Sequence, residues 1–330
     1  MPPRRITFDF LTFAKSITIE LDERRNQGLC DAVWGHLPYA SIETHTVVSG
    51  HNIYHQIPIV SPFFVEGDDF VKRTEAPVGT VFLPDVQSLF FKYGEVSEQN
   101  EHPPIGRVIP EDLPILLEVG KRCWEAIYRT KEPVIIVARR EGEPATLEDV
   151  PYRLIDPTTV SHPVFRRLIT DINAEITRIW TRPPPSVLEM FAGSVDTRPG
   201  SYGQFLSGLM IMAGEVRTLT GIATCGGLLR ACQDPHTDLR VLKIMTKNLM
   251  HMPTEFLGYC GLSAVWRFAK VLFDQWDALT TKDEYFAVLS SYATYINQLN
   301  IWVLHYFPWD IGDDDRFKYA TSTPRTGCAP

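Results

Sequence analysis

The sequence predicts an α+β protein, an N-terminal closed β-barrel with capping helices followed by an all-α helical bundle. Three observations carry this. Between residues 5 and 139, short runs of alternating apolar and polar residues are separated by turn residues, the period of strands. Beyond the Pro-, Glu-, Asp- and Thr-rich stretch 141–163, apolar residues recur at three- and four-residue spacing, the period of helices. A chain of 330 residues is also too long for one small core. The expected division is a barrel over 1–145, a linker over 146–163 and a bundle over 164–330.

In the first half, residues 6–10, 16–21, 80–84, 88–94 and 134–139 read as strands, and 37–59 reads as a β-hairpin. Two helices interrupt them. One covers 26–36, with Asn26 as N-cap and Leu29, Ala32 and Val33 at helical spacing. The other covers 111–129, with acidic residues first and Lys121, Arg122 and Arg129 later, the order the helix dipole favours. Many short strands with few helices suggest a closed barrel with helices at its ends. The second half reads as helices over 164–180, 204–219, 239–250, 255–276 and 284–307, the first stopped by Pro183, Pro184 and Pro185. Its aromatic stripe (Trp266, Phe268, Phe273, Trp276, Tyr295, Trp302) reads as core, any surplus burying an interface, so a homo-oligomer is expected.

A formal charge of −8 without a dense basic run argues against a nucleic-acid partner. No run of about 18 apolar residues suggests a membrane partner, and the start MPPRRITFDF lacks the apolar segment of a signal peptide. The six cysteines form no CxxC pair, which points to free thiols in the cytoplasm. No metal is expected. His236, His251 and His305 lack ligand spacing, and the run DIGDDD at 310–315 lacks the closing Glu of a calcium loop and reads as a solvated acidic tail.

The hairpin carries the chemistry. Runs 42–48 and 53–59 flank the tetrad Ser49-Gly50-His51-Asn52. Pairing Val48 with Ile53 places Ile42, Thr44, Thr46, Val48, Ile53, His55, Ile57 and Ile59 toward a core, with His55 a hydrogen-bonded core histidine. Glu43, His45, Val47, Tyr54 and Gln56 then share the outer face, with His45 opposite Gln56. A His, a Tyr and an amide together suggest a site; the competing reading is an ordinary solvated strand face.

The Asn-capped helix with Trp34, Leu37-Pro38, the hairpin, and the later pair VFLPD and LFFKYG resemble the cyclophilin-like barrel family in their order. Such a barrel joined to a helical bundle resembles the cucumopine and mikimopine synthases. That resemblance implies a Pictet–Spengler condensation of L-histidine with 2-oxoglutarate, without a cofactor. No GxGxxG follows a strand, in keeping with that. The chemistry requires cations for substrate carboxylates and positioned acids and bases.

Lys92 and Arg107 are the candidate carboxylate receivers, with Gln56 and His51 beside the substrate; His45, Glu20, Tyr54 and His102 are the candidate proton-transfer groups. Each has a plainer reading. Glu20 alternates away from Ile17, Ile19 and Leu21 and would be solvated; Lys92 would be a surface lysine; His51 and His102 would be exposed loop histidines. Two other functions fit the same sequence: a non-enzymatic ligand-binding or assembly protein on this scaffold, and, more remotely, a peptidyl-prolyl isomerase using Arg107.

Overall fold

A computed structural model describes residues 3–58, 67–84, 87–148, 150, 152, 154–193 and 201–309. The expectations for Ile59, for the acidic run 310–315 and for Cys328 lie outside them. The first half is a closed antiparallel barrel built from β1 (Arg5–Phe10), β2 (Lys15–Leu21), β3 (Tyr39–His45), β4 (Gly50–Gln56), β6 (Thr80–Phe82), β7 (Ser88–Val96), β9 (Pro104–Val108) and β10 (Val134–Arg140). Their order around the barrel is β1-β10-β3-β4-β7-β6-β9-β2, and a short pair, β5 (Val71–Lys72) and β8 (Glu101–His102), stands beside it. Alternate residues turn inward, so Ile6, Phe8, Ile17, Ile19, Ile53 and Phe91 fill the lumen as one core. Helix α1 (Gln27–His36) adds Leu29, Cys30 and Val33 to that core, and α2 (Leu113–Glu125) adds Leu116, Val119 and Cys123. Gly120 is required on α2, because a Cβ there would lie 2.6 Å from the Tyr93 ring.

The second half holds α3 (Pro163–Ile179), α4 (Pro185–Phe191), α5 (Tyr202–Leu219), α6 (Thr224–Gln233), α7 (Leu239–Tyr259), α8 (Ser263–Asp274) and α9 (Lys282–Tyr306). Helix α9 is the axis, buried on nearly every side from Glu284 to His305. Its side chains satisfy the end of α3: Gln298 Nε2 donates to the Trp180 carbonyl and Trp302 Nε1 to that of Ile179, both at 2.6 Å. The expected break between 250 and 255 is absent, since α7 runs through Pro253 and ends at the Cys260-Gly261 turn. The stretch Gly203–Gln233 is long and apolar enough to cross a membrane by composition. It is two helices, α5 and α6, that bury one side in the bundle. All five described cysteines are free and buried.

The two halves meet on the outer face of the barrel. Ile42 joins the bundle core, and Trp180 Nε1 donates to the Ala40 carbonyl at 2.7 Å. Gln87, at the entry to β7, knits the rest. Its Oε1 accepts from Gln56 Nε2 (3.2 Å) and Asn297 Nδ2 (3.1 Å), and its Nε2 donates to Thr294 Oγ1 (3.1 Å). All four side chains are buried. Replacing Gln87 with Ala removes an acceptor from two buried amides, of which Gln56 Nε2 keeps the Thr294 carbonyl and Asn297 Nδ2 loses its partner. The expected loss is about 1–3 kcal/mol for each donor left unpaired, read as a lower urea midpoint by tryptophan fluorescence, and an unchanged midpoint would contradict this role.

Candidate active site

The hairpin register differs from the expected one and divides the candidate residues. Glu43 pairs with His55 and His45 with Ile53, so the connection is 46–49 and β4 already runs through His51 and Asn52. Gly50 supplies a φ of +83° there, and a Cβ on it would lie 2.5 Å from the Glu95 carbonyl oxygen. Shifting the pair sum by an odd number turns one strand over. Glu43 and His45 therefore face the lumen with Ile53 and His55, while Tyr54 and Gln56 face outward. His45 is thus not on the face of Tyr54 and Gln56. The core placement of His55 holds: its Nδ1 donates to Glu43 Oε2 and its Nε2 meets the Tyr39 hydroxyl, each at 2.8 Å. Burial pushes the Glu43 carboxyl up, against the pull of the His55 imidazole.

His45 is buried at the barrel mouth. Its Nδ1 donates to the Thr46 carbonyl (2.7 Å), so Nε2 accepts from the Tyr93 hydroxyl (2.7 Å). Burial lowers its pKa to about 4 despite the Thr46 bond. His51 sits outside it, its ring 5.3 Å from that of Tyr93, and both histidines line a cavity of 560 Å³ under α2. Glu20 and Arg107 lie on the opposite side of the barrel, in a groove of 850 Å³. Most of its charged side chains are already engaged. Arg5 pairs with Glu20, Arg4 with Glu23 and Asp31, Arg25 with Asp69, and Arg107 donates to the Val78 carbonyl.

A third opening, of 550 Å³, lies between the outer face of β4 and β7 and the bundle, and here unlike groups converge. Tyr54 and Phe90 are cross-strand partners stacked at 5.0 Å, and His102 lies parallel to Phe90 at 6.4 Å. Arg73 lies over the Phe90 ring at 5.1 Å and is 2% exposed. Its Nη1 donates to Glu98 Oε2, while its Nε and Nη2 meet no acceptor among the described residues. Glu98 Oε1 accepts from Ser49 Oγ at 2.5 Å. The bundle closes the cleft with Arg217, Arg230, Asn297 and Asn300. Burial raises the Tyr54 hydroxyl to about 12, a shift Arg217 opposes, so Tyr54 remains a proton donor near neutrality.

The structure therefore brings Tyr54 and His102 together and sets the other candidates elsewhere. Lys92 is not a surface lysine. Its Nζ donates to the carbonyls of Arg73 (2.7 Å), Thr74 (3.2 Å) and Ala76 (2.6 Å), which fixes the turn that presents Arg73. Gln56 is consumed by the junction with α9. Arg73, Glu98 and Ser49 were absent from the sequence candidates. The TEAP turn and the polar stretch 95–102 look like solvated loops, and nothing local signals that they meet. Among the described residues, no three His, Cys, Asp or Glu side chains gather as a metal site would need.

Comparison with known proteins bears on this architecture. The profile of the cucumopine synthase C-terminal helical bundle domain matches residues 165–306. The structure of McbB in complex with tryptophan is 38% identical, covers 92% of this chain and 97% of that chain, and superposes with a TM-score of 0.87. A hypothetical protein from Archaeoglobus fulgidus, solved in solution, is 14% identical over 42% of this chain and 95% of its own, with a TM-score of 0.29. No curated protein matches the sequence.

The titration of His45 yields a pH prediction. Its folded pKa of about 4 lies below the unfolded value of 6.5, so the unfolded chain binds the extra proton first. The stability is complete above the unfolded value and is lost as pH falls toward the folded one. His305, lowered to about 4 by burial, acts in the same direction. In His45→Gln the loss of stability between pH 6.5 and 4 should shrink by up to about 3 kcal/mol, a tenfold difference in proton affinity being worth about 1.4 kcal/mol. Urea midpoints measured across that range check this; parallel curves for the two proteins would refute it.

Proposed function

Because this chain belongs to the family of the cucumopine synthases and McbB, we propose that the cleft between barrel and bundle performs a cofactor-independent Pictet–Spengler condensation. An amino acid with a nucleophilic aromatic side chain joins a keto acid, and the first pair is L-histidine with 2-oxoglutarate. The observation that carries this reading is Arg73: a buried guanidinium with two unpaired donors, stacked on an aromatic wall and bonded to a carboxylate. Such donors are costly to bury and match a bidentate carboxylate. Histidine brings one carboxylate and 2-oxoglutarate two, and three arginines (Arg73, Arg217, Arg230) line the cleft.

The chemistry follows in order. The amine attacks the ketone carbon to give a carbinolamine. Tyr54, protonated near neutrality, gives its proton to the departing hydroxyl, which leaves as water while the nitrogen keeps its hydrogen as an iminium; the phenolate later regains the proton that Glu98 removes. The imidazole carbon attacks the iminium carbon, the C=N electron pair passes to the nitrogen, and the six-membered ring closes. Glu98, held in place by Ser49 and Arg73, takes the proton from that ring carbon and restores aromaticity. His102, stacked on Phe90, lies where the aromatic substrate would sit and orients it. A second reading is favoured by one observation: McbB was solved with tryptophan, so L-tryptophan, whose indole closes by the same step, is the alternative amine.

Incubation with L-histidine and 2-oxoglutarate, without nucleotide and after dialysis against chelator, should yield a species at the summed mass minus one water. No such species from histidine or tryptophan with a panel of keto acids would sink the proposal and favour a binding protein on this scaffold. Loss of turnover on chelation, restored by one metal, would refute cofactor independence. Glu98→Gln should lower kcat by ~10²–10⁴-fold with little change in KM. Arg217→Ala should lower kcat/KM by about one to two decades, mostly through KM. Glu20→Gln and Arg107→Ala, in the groove on the opposite side of the barrel, should leave both constants near wild type.

A further inference from the structure

The cavity under α2 takes no part in the proposed reaction, yet it is built like a ligand site. Its 560 Å³ falls within the ~300–1,000 Å³ of small-molecule pockets. Trp124 and Tyr128 stack at 4.9 Å along one wall, and the rings of His51 and Tyr93 form another. Trp124 is 37% exposed and Leu117 44%, so apolar side chains stand in water at the opening, where a planar ligand would cover them. An unusual piece of backbone places Tyr128. After Glu125 the helix widens into one π-helical turn, Ala126–Thr130, a rare conformation that recurs at functional sites.

The polar groups define the ligand. The Tyr93 hydroxyl donates to His45 Nε2, so its oxygen is left only as an acceptor and suits a ring N–H. At the rim Lys121 and Glu125 stand one helical turn apart, both exposed. A cation and an anion on one helix face match the carboxylate and the ammonium of an amino acid. The order Lys then Glu is the weaker one for pairing across a turn, so a ligand inserted there displaces little.

We propose that this cavity is a second, non-catalytic binding site for an aromatic amino acid with a ring N–H, its ring held between the Trp124–Tyr128 pair and Tyr93. The site is joined to the cleft by two routes. Thr46, Val47 and Val48 line both cavities, the Val47 carbonyl accepts from the Tyr128 hydroxyl at 3.1 Å, and Ser49, next in the chain, holds Glu98. The Tyr128 ring also lies 6.1 Å from that of Trp309, which lines the cleft. Occupancy therefore bears on the group that the proposed reaction uses as its base; this link, unlike the site itself, rests on that reading.

Calorimetric titration of the full chain with L-tryptophan tests the site without turnover. Lys121→Ala and Trp124→Ala, at exposed side chains outside the cleft, should keep the wild-type circular dichroism spectrum. Trp124→Ala should bind one equivalent fewer than the wild type, and Lys121→Ala should hold that equivalent at least ~10-fold more weakly. Indole-3-propionate and tryptamine, each lacking one of the two charges, should lose at least ~10-fold in affinity for it as well. Both variants titrating as the wild type does overturns the proposal. So does a site that the chemically prepared condensation product fills and that neither L-tryptophan nor L-histidine does. In the condensation assay, wild-type kcat should change at least ~5-fold at amine concentrations that fill the site, and that of Trp124→Ala should not. The same dependence on amine in both proteins overturns the link to Glu98.

Discussion

The site depends on one buried junction of amides. Gln87 holds Gln56 of the barrel and Thr294 and Asn297 of α9 in a single network, and Asn297 Oδ1 in turn accepts from Gly221 N at 2.8 Å, tying in the turn between α5 and α6. Apolar packing alone would let α9 slide on the barrel, because burial is roughly indifferent to direction. Directional hydrogen bonds between buried side chains restrict the arrangement. That arrangement sets Arg217 and Arg230 of the bundle across from Tyr54 and Phe90 of the barrel. The cleft is thus a consequence of the junction.

A second buried device works inside the barrel half. Lys92 gives three hydrogen bonds to the backbone of the turn at 73–76, and that turn presents Arg73. Desolvation and the nearby Arg73 both lower the Lys92 pKa. Three carbonyl dipoles supply the compensating interaction. Two cations are therefore held close together beneath the aromatic wall; the Glu98 carboxylate pairs with Arg73, and Glu95 partly offsets the charge on Lys92. An anionic substrate would relieve the remaining imbalance. The lumen is instead filled, because Tyr39, Glu43 and His55 bond to one another among Phe8 and Phe91.

Much of the fold was legible from periodicity. The strands at β1, β2, β7 and β10 and the helices α1, α3 and α9 lie where the apolar spacing places them. Strand β9 was not legible, since it opens at Pro104 and contains Gly106, both unfavourable in strands. Asn26 stands at the start of α1 but does not cap it; its amide binds the backbone at Asp68, Asp69 and Pro104 instead. The hairpin register failed for a definite reason. Thr46 N and Oγ1 both bond to the Asn52 carbonyl, which turns the chain early, and a bulge between Gly50 and Asn52 restores pairing with β7. The residues of β4 kept their expected face, Tyr54 and Gln56 outward and Ile53 and His55 inward, while those of β3 turned over. Arg73 and Glu98 could not be found this way, because their pairing is long-range and neither belongs to a periodic run.

The division of parts explains why one scaffold suits related condensations. In the proposed condensation, proton transfer and the first carboxylate contact would come from the barrel, where Glu98, Tyr54 and Arg73 are held by strand register, by Ser49 and by Lys92. The facing cations come from helix surfaces of the bundle, where Arg217 and Arg230 are solvent-exposed and no strand ladder constrains them. Substitutions on that side would alter the size and charge of the accepted keto acid without disturbing the acid and base. In the same reading, selectivity between histidine and tryptophan would belong to the aromatic wall, where His102 lies parallel to Phe90. Acid, base and amine selectivity would thus share the barrel wall, keto-acid selectivity would lie on the bundle wall, and the Gln87 junction fixes the distance between them.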